Sequence, residues 1–582
     1  MIKSAPSYDK HPFVAVPGNA RVIKGWGPVC EQLQQRLRER RRAVLTVDTY
    51  PGVDDSEIQG ELEARLRPSL TIRTIDLKKP EPELLKLIGR NLTDDRIFGV
   101  LSCHELEEFF DVQRLASAQR EVAQFSEGLA LIYGVGAERV APGDLLVYAD
   151  LARWEIQLRY RRGLGNWGAE NGKEDFFRKY KRGFFVEWRA ADRHKFDLFE
   201  RVDFFLDTHQ PGEPKLVEGG ALRDGLRHTA ARPFRVVPFF DPAPWGGQWM
   251  RQVCALNGNA RNYGWCFDCV PEENSLLLRL GTELIEMPSL NLVHRAPVEL
   301  LGEKVHARFG CEFPIRFDFL DTMGGGSLSF QVHPLTRYIR QHFGVQYTQD
   351  ESYYLLDAGP DASVYLGLRE GVDPKAMIRD LEAAQDGGAP FPVEQYVNRW
   401  PARKHDHFLI PAGTVHCSGA NCMVLEISAT PYIFTFKMWD WGRLGLDGRP
   451  RPVHLNHGIP NIQWDRTTEW VKRELINCVE PVTQGAGWRE ERTGLYASEF
   501  IETRRHWFRS QTPHDTGGGV NVLNLVCGGE AIVESPDHSF EPLVIHYAET
   551  FIVPAAVGHY TVRPHGSAEG QECATIKAFV RT

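Results

Sequence analysis

The feature that most constrains the fold of this chain is a change near residue 235 in the pattern of charged, apolar and turn-forming residues. From Arg21 to about Pro233, charged helix-like segments such as "CEQLQQRLRERRR" alternate with apolar strand-like segments such as "AVLTVDTY". From about Pro238 onward, short strand-like segments are separated by glycine and proline. Alternating strands and helices predict an α/β layer, whereas many short strands at spacings of about 8 to 12 residues predict sandwiches or barrels. The sequence therefore predicts a multidomain fold that is α/β first and mainly β afterwards.

The length of 582 residues exceeds what one hydrophobic core supports, so several domains are expected. We predict an α/β domain at 1–235 and a mainly β domain at 236–480 that carries one helical insertion, "DPKAMIRDLEAAQ". A C-terminal β-barrel is predicted at 481–582, where "GVNVLNLVCGGEAIVES" and "CATIKAFVR" read as strands and turns.

Charge and composition exclude some classes of partner. The formal net charge of −9 gives no reason to expect a nucleic-acid partner, because a polyanion would be repelled on average. The first residues lack the apolar segment of a signal peptide, and no run of about 18 apolar residues occurs, so we expect no membrane association and a cytoplasmic location. The eleven cysteines are scattered and odd in number, which favours reduced thiols.

The N-terminal third lacks the sequence of a phosphate-binding loop. After the apolar strand "AVLTVDTY" the chain reads "PGVDDSEIQ", which lacks both the G-x-x-x-x-G-K-[ST] pattern and its lysine. Asp54 and Asp55 would repel a phosphate at this point. The region resembles the nucleoside-kinase fold with its catalytic loop degraded, and this resemblance implies a P-loop-kinase-like scaffold or ligand sensor.

Candidate metal ligands appear in the strand segment "SLSFQVHP". Gln331 and His333 are two residues apart, so they project from one face of the strand before Pro334 ends it. Glu351 follows in "DESYYLLDAGPDASVYLGL" and His416 in "FLIPAGTVHCSG". Together the four side chains form a plausible nitrogen and oxygen set for one divalent ion, most simply Zn²⁺. A solvated polar strand face is the alternative interpretation of Gln331 and His333.

These segments resemble the three signature segments of type I mannose-6-phosphate isomerases, which are metal-dependent enzymes of the cupin superfamily. "PAPWGGQWM" and "WDWGRLGLDGRPRPVH" also resemble segments of that family. The resemblance covers about Pro238 to Glu480 and implies cupin, or jelly-roll, β-barrels, with the C-terminal strands as an accessory barrel. The metal ligands of the family match Gln331, His333, Glu351 and His416.

The resemblance also implies roles for four further residues. Ser329 stands where the family places a substrate-contacting serine, and Gln349 replaces a lysine that usually precedes the metal-binding glutamate. Lys437 replaces the arginine that is catalytic in the family, so it keeps the charge but loses the bidentate fork. Lys437 and Arg443 are the candidate catalytic cations, and Ser329 and Gln349 are the candidate substrate-binding residues.

The resemblance implies an isomerase that converts mannose 6-phosphate to fructose 6-phosphate through an enediol. The alternatives are another metal-cupin sugar enzyme and a sugar-phosphate-binding regulatory protein without turnover. The general base and the oligomeric state are left open, although His405 and His407 share a strand face near the predicted site. His546, Glu549 and His559 resemble a degraded cupin ligand set, and we predict no metal there because their spacing does not place three ligands on one strand face.

Overall fold

The computed structural model describes residues 7–494, 496 and 498–582. The chain divides into two compact units. The N-terminal unit contains Phe13–His228 and Glu273–Arg295, and the β-rich unit contains residues 7–12, Thr229–Glu272 and Ala296–Thr582. The predicted domain bounds of 1–235, 236–480 and 481–582 stay a prediction. The return of Glu273–Arg295 to the N-terminal unit was not indicated by the sequence pattern.

The first half of the chain contains both helices and strands. Its strands are β1 (Phe13–Val16), β2 (Ile23–Lys24), β3 (Arg42–Thr49), β4 (Leu70–Arg73), β5 (Gly128–Gly134), β6 (Leu145–Asp150), β7 (Phe204–Asp207), β8 (Lys215–Glu218), β9 (Phe239–Asp241), β10 (Trp265–Cys269), β11 (Ser275–Leu280) and β12 (Glu283–Pro288). Its α-helices are α1 (Trp26–Leu37), α2 (Asp55–Leu66), α3 (Glu81–Leu92), α4 (Val112–Gln124), α5 (Arg153–Arg161), α6 (Phe176–Arg182), α7 (Trp188–Leu198), α8 (Gly219–Ala230), α9 (Trp249–Val253) and α10 (Leu290–Arg295).

The second half is mainly strand. Its strands are β13 (Arg316–Asp321), β14 (Phe330–Val332), β15 (Asp350–Ala358), β16 (Ser363–Leu368), β17 (Val397–Pro401), β18 (His407–Ile410), β19 (His416–Ser418), β20 (Cys422–Ala429), β21 (Phe436–Trp439), β22 (Glu480–Gly485), β23 (Trp488–Gly494), β24 (Ile501–Phe508), β25 (Thr512–Asp515), β26 (Asn521–Cys527), β27 (Glu530–Glu534), β28 (Leu543–His546), β29 (Thr550–Val553), β30 (His559–Pro564) and β31 (Cys573–Val580). Its α-helices are α11 (Pro297–Leu301), α12 (Glu303–Phe309), α13 (Thr336–Phe343), α14 (Pro374–Gln385), α15 (Val393–Tyr396), α16 (Leu455–Gly458) and α17 (Thr468–Glu474).

The N-terminal unit is an α/β layer, as its alternating pattern predicts. Its seven-stranded sheet has the order β2-β8-β7-β6-β3-β5-β4, in which the five strands from β7 to β4 are parallel. β8 and β2 continue the sheet in antiparallel pairing. Seven of the eight residues of β3 are buried, which is expected of a central parallel strand that is covered on both faces.

The connection from β3 to α2 is the place where a phosphate-binding loop would lie. The Asp54 carboxylate caps α2 by accepting hydrogen bonds from the backbone N–H groups of Ser56 (3.0 Å) and Glu57 (3.3 Å). These donors at a helix N-terminus are the groups that would otherwise hold an anion. Burial raises the pKa of the neighbouring Asp55 to about 6. The chain therefore fills this position with its own carboxylate.

The β-rich unit contains two sandwiches of antiparallel sheets. The first sandwich pairs a six-stranded sheet, β18-β15-β20-β13-β10-β9, with a five-stranded sheet, β17-β16-β19-β14-β21. The C-terminal sandwich pairs β22-β23-β24-β31-β26-β29 with β25-β30-β27-β28. Its apolar core contains Phe508, Leu525 and Val533. Two mainly β bodies following an α/β layer agree with the fold class expected from the sequence.

None of the helices in the described ranges combines the length and the apolar character that a membrane crossing requires.

Candidate metal centre

The four predicted ligands meet between the two sheets of the first sandwich. Gln331 on β14 lies directly opposite His416 on β19, so both side chains share the inner face of the five-stranded sheet. His333 follows β14 by one residue, and Glu351 reaches in from β15 of the facing sheet. His333, Glu351 and His416 are all buried. One ligand atom from each of these three lies within 4.8 Å of the other two.

Both imidazoles are oriented by backbone carbonyl groups. His333 Nδ1 lies 2.9 Å from the carbonyl oxygen of Phe434, and His416 Nδ1 lies 2.8 Å from that of Thr414. A carbonyl oxygen only accepts, so each Nδ1 carries the hydrogen and each Nε2 presents a lone pair to the interior. This arrangement is the usual one for histidines that bind a metal through Nε2.

The two lone pairs face a carboxylate. Glu351 Oε2 lies 3.0 Å from His333 Nε2, and Glu351 Oε1 lies 2.9 Å from His416 Nε2. Among the described residues, His333 Nε2 and Glu351 Oε1 have no hydrogen-bond partner. Acceptors brought this close in a buried site need a positive charge between them. The donor set therefore fits a divalent cation that prefers nitrogen and oxygen ligands.

The electrostatics of the site agree with this requirement. Burial lowers the pKa of a histidine, but the negative charge of Glu351 outweighs this effect and raises the pKa of His333. Burial likewise opposes ionisation of Glu351, yet the facing histidines hold the pKa of its carboxyl well below its usual range. The site thus retains a carboxylate and attracts a proton or another cation to its centre.

The Gln331 side chain completes the set. Its amide nitrogen lies 3.2 Å from His416 Nε2, so one end of the amide reaches the same ligand atom. The oxygen and nitrogen of a glutamine amide are exchanged by a half-turn of the group, and its oxygen can take the inward position when a cation is present. Gln331 is therefore placed to act as the fourth protein ligand.

Behind Glu351 lies a group of buried polar residues, of which sequence reasoning had noted only Gln349. The Gln349 amide donates to Glu351 Oε2 (2.9 Å) and to Glu426 Oε1 (3.4 Å), and its oxygen accepts the N–H of Phe434 (2.9 Å). In this structure Gln349 therefore orients a candidate metal ligand. Its assignment as a substrate-binding residue stays a prediction.

Glu426 and Asp318 were missed by sequence reasoning. They lie opposite each other on β20 and β13, and Glu426 lies opposite Tyr353 on β15. Burial raises the pKa of Asp318 to about 7 and, together with the charge of Asp318, raises the pKa of Glu426 well above its usual range. Only the strand register brings these acids beside Glu351, so their positions in the sequence give no signal.

The remaining predicted residues lie at the same end of the five-stranded sheet. Lys437 on β21 is the residue opposite Gln331, so its side chain shares the inner face of the sheet with the candidate ligands. The Ser329 hydroxyl donates to Asp440 Oδ1 at 2.9 Å, and Arg443 NH2 donates to the same oxygen at 2.6 Å. Asp440 and Arg451, which also contacts it, were not identified from the sequence.

His405 and His407 do not reach the metal centre. His407 lies opposite Tyr354, whose side chain points to the other side of β15 from Glu351. Burial lowers the pKa of His407 to about 3, and its Nδ1 contacts the carbonyl oxygen of Thr493. The suggestion that this pair supplies a general base is therefore not supported by its position.

Of the three residues that resemble a second ligand set, two are in contact, because His546 Nδ1 lies 3.2 Å from Glu549 Oε1. Glu549 forms an ion pair with Arg235 (2.7 Å) and accepts the backbone N–H groups of Asp9 and His546. The His559 side chain is 85 % exposed and pairs with Asp515. Glu549 therefore serves as an internal ion-pair partner.

Comparison with known proteins gives two kinds of sequence match. A family model described as a domain of unknown function (DUF8485) matches residues 25–231. The chain is also 26% identical over 217 residues to the mannose-6-phosphate isomerase of Streptococcus mutans, a match that covers 37% of this chain and 63% of that protein. It is 26% identical over 154 residues to the mannose-6-phosphate isomerase ManA of Bacillus subtilis, covering 26% of this chain and 45% of that protein. The chain thus spans less than two thirds of the length of these relatives.

Solved structures match the chain at lower identity. The mannose 6-phosphate isomerase of Bacillus subtilis matches with a TM-score of 0.46 and 17% identity, over 60% of this chain and 99% of that chain. A point variant of the phosphomannose isomerase of Salmonella typhimurium matches with a TM-score of 0.46 and 14% identity, over 60% of this chain and 100% of that chain.

Proposed function

We propose that the protein is a metal-dependent aldose-ketose isomerase that converts mannose 6-phosphate to fructose 6-phosphate through an enediol. The observation that carries the proposal is the geometry of His333, Glu351 and His416, whose buried acceptors face one point. The curated relatives named mannose-6-phosphate isomerase support the choice of substrate.

Four residues, Gln331, His333, Glu351 and His416, would hold one divalent ion, for which Zn²⁺ fits the nitrogen and oxygen donor set. When bound, such an ion supplies Lewis-acid stabilisation of negative charge on a substrate oxygen. The chain holds these ligands rigidly, because Phe434 and Thr414 fix the two imidazoles and Gln349 fixes the carboxylate.

The reaction moves a proton between C2 and C1 of the sugar, and negative charge develops on O1 and O2 in the enediolate. Lys437 is the cationic side chain opposite Gln331, so we assign it to this developing charge. Ser329 comes before Gln331 in the strand segment, whereas His333 comes after it. Arg443 contacts the same Asp440 carboxylate as Ser329. We assign the region of Ser329 and Arg443 to the rest of the substrate.

For the N-terminal unit we propose a P-loop-kinase-like scaffold that does not bind a nucleoside triphosphate. Its parallel strand order and its helix after the central strand β3 support the likeness. The Asp54 carboxylate at the N-terminus of α2 supports the loss of phosphate binding, because it occupies the donors that a phosphate would need.

The test combines metal analysis with a coupled assay for fructose 6-phosphate formed from mannose 6-phosphate. We expect about one equivalent of zinc in the purified protein and turnover that chelation abolishes and zinc restores. Bound iron without isomerisation would favour another metal-cupin sugar enzyme. Binding of fructose 6-phosphate without turnover would favour a regulatory sensor.

A further inference from the structure

Two arginines, a serine and an aspartate form a cluster at the end of the five-stranded sheet. We call Ser329, Asp440, Arg443 and Arg451 the Asp440 cluster. Asp440 Oδ1 accepts from the Ser329 hydroxyl (2.9 Å) and from Arg443 NH2 (2.6 Å), and Asp440 Oδ2 accepts from Arg451 NH1 (2.8 Å). Arg451 NH1 also donates to the Ser329 hydroxyl at 3.0 Å. Asp440 is buried, so this carboxylate is a fixed point that organises the other three side chains.

The two arginines differ in how many of their donors are in use. Arg443 uses its whole fork: Nε donates to the carbonyl oxygen of Asp440 (3.3 Å), NH1 to that of Ser327 (2.6 Å) and NH2 to the Asp440 carboxylate. Arg451 uses only NH1, and among the described residues its Nε and NH2 have no partner. Arg443 is therefore a structural cross-link, whereas Arg451 keeps donors available for a ligand.

The charge of the cluster suits an anion. Two guanidinium groups face a single carboxylate, and Lys437 adds a third positive charge on the neighbouring strand β21. An arginine held on one side by a carboxylate presents its remaining N–H groups in a fixed plane, which matches the oxygens of a phosphate. The Arg451 side chain is only 14% exposed, so this interaction would be screened little by water.

The position of the cluster sets the size of the ligand. Ser329 precedes Gln331 by two residues, a step of about 7 Å along an extended strand. This step is comparable to the separation between the carbonyl end and the phosphate of a six-carbon sugar phosphate. A substrate with its carbonyl end at the candidate metal ligands would therefore bring its phosphate to the Asp440 cluster.

We propose that Arg451, rather than Arg443, is the residue that binds the phosphate group of the substrate, with Asp440 as its positioning residue. This inference rests on the proposed phosphosugar isomerase function and names the residue that selects a phosphorylated sugar. The Ser329 hydroxyl acts through Arg451, because it donates its hydrogen to Asp440 and accepts one from the guanidinium.

The test compares Arg451→Ala with Arg449→Ala, which removes an exposed arginine two residues earlier in the same loop. Binding of fructose 6-phosphate and of unphosphorylated fructose is measured by calorimetry, and KM and kcat are measured with mannose 6-phosphate. For Arg451→Ala we expect fructose 6-phosphate to bind roughly 10- to 100-fold more weakly, since a charge-assisted contact is lost. KM should rise while kcat changes little, because the phosphate is bound alike in the ground and transition states.

A conservative variant guards against a folding defect. Arg451→Lys keeps the charge but not the fork, so it should recover part of the lost affinity. Wild-type affinity in Arg451→Ala, or an equal loss in Arg449→Ala, would overturn the inference.

The same experiment separates the inference from the function on which it rests. If the wild-type protein binds fructose 6-phosphate through Arg451 but does not turn over mannose 6-phosphate, the proposed isomerase fails and the phosphate site stands. If turnover is present and Arg451→Ala leaves KM unchanged, the isomerase stands and Arg451 is not the anchor. If the wild-type protein shows neither binding nor turnover, both proposals fail.

Discussion

The two sandwiches of the β-rich unit each bury a pair of histidines with a glutamate beside them. In the first sandwich the ring centroids of His333 and His416 are 4.9 Å apart at an interplanar angle of 40°. In the C-terminal sandwich those of His506 and His514 are 4.2 Å apart at 48°. By the spacing and tilt of the rings alone, the two pairs are close to interchangeable.

They differ in what holds the outer ring nitrogens and in what faces the inner ones. His333 and His416 each have a carbonyl oxygen at Nδ1, whereas neither ring nitrogen of His514 has a hydrogen-bond partner among the described residues. Glu351 is shared by both histidines of its pair, but Glu490 lies near His506 alone, at 3.3 Å.

The local charge differs as well. Glu490 is already paired with Arg504 at 2.9 Å. Burial lowers the pKa of both His506 and His514, and the positive charge of the nearby buried Lys577 adds to this effect. Of these two histidine pairs, only the first therefore has backbone carbonyl groups at both Nδ1 atoms and one carboxylate that faces both rings.

The largest expected effect distinguishes the two glutamates. For the proposed metal-dependent isomerase, Glu351→Gln should remove the metal and lower activity by more than about 10²-fold, since mutating even the hydrogen-bond partners of metal ligands commonly lowers metal affinity or activity 10- to 100-fold. Glu490→Gln is the matched control and should keep the metal content of the wild type. Elemental analysis and the coupled assay measure both quantities, and equal metal loss in the two variants would contradict the comparison.

The next largest effect concerns the lysine of each sandwich. Lys437→Ala should lower kcat on the order of 10² to 10³-fold, as expected when one preorganised charge contact to the transition state is lost. Lys437→Arg should be far less harmful, because it retains the charge. Steady-state kinetics with mannose 6-phosphate measure kcat for these variants. Lys577→Met in the C-terminal sandwich is the matched control and should keep the kcat of the wild type.

If Lys437 instead binds the phosphate, KM of Lys437→Ala will rise while kcat holds, and the catalytic charge must be sought elsewhere. Wild-type kinetics in the same variant would identify Lys437 as a solvated strand residue.

The candidate ligands of the first sandwich could be named from the sequence because their signal is local. Gln331 and His333 follow a two-residue strand period, and both Glu351 and His416 lie in recognisable strand segments. Glu426 and Arg451 carry no such signal, because they join the site through strand register and loop conformation that distant residues determine. No local sequence pattern predicts that Glu273–Arg295 returns to the N-terminal unit.

His506 and His514 also carry no local sequence signal. In "ETRRHWF" and "TPHD" each histidine stands among polar neighbours, and their pairing results from the packing of β24 against β25.

A smaller effect is expected on the pH dependence of stability. Burial lowers the pKa of His506 to about 4 and lowers that of His514 well below its usual value. The unfolded chain, with histidine pKa values near about 6.5, therefore binds more protons than the folded chain between these limits. Stability should fall as the pH is lowered from about 6.5 towards about 4, by up to about 1.4 kcal/mol per pH unit for each histidine.

Urea unfolding of the metal-free protein, followed across this pH range, measures the slope. His506→Gln and His514→Gln should each reduce the slope of stability against pH. The control variant His559→Gln should leave this slope unchanged, because His559 is exposed and pairs with Asp515 at the surface. An unchanged slope in both buried-histidine variants would show that other groups dominate the acid sensitivity.

The smallest expected effect is a gain in stability from His514→Phe. The His514 ring is buried and stacks on Tyr560 with ring centroids 4.9 Å apart at 15°, so phenylalanine can keep the stack. The substitution removes two ring nitrogens that have no partner among the described residues, and an unmet buried polar group costs about 1 to 3 kcal/mol. Allowing for imperfect fit of the larger ring edge, the free energy of unfolding at pH 7 should rise by about 1 kcal/mol. His416→Phe in the first sandwich should instead abolish the proposed metal binding, because it removes a candidate ligand. A clear loss of stability in His514→Phe would mean that water or an ion holds its nitrogens, and the contrast between the two histidine pairs would then fail.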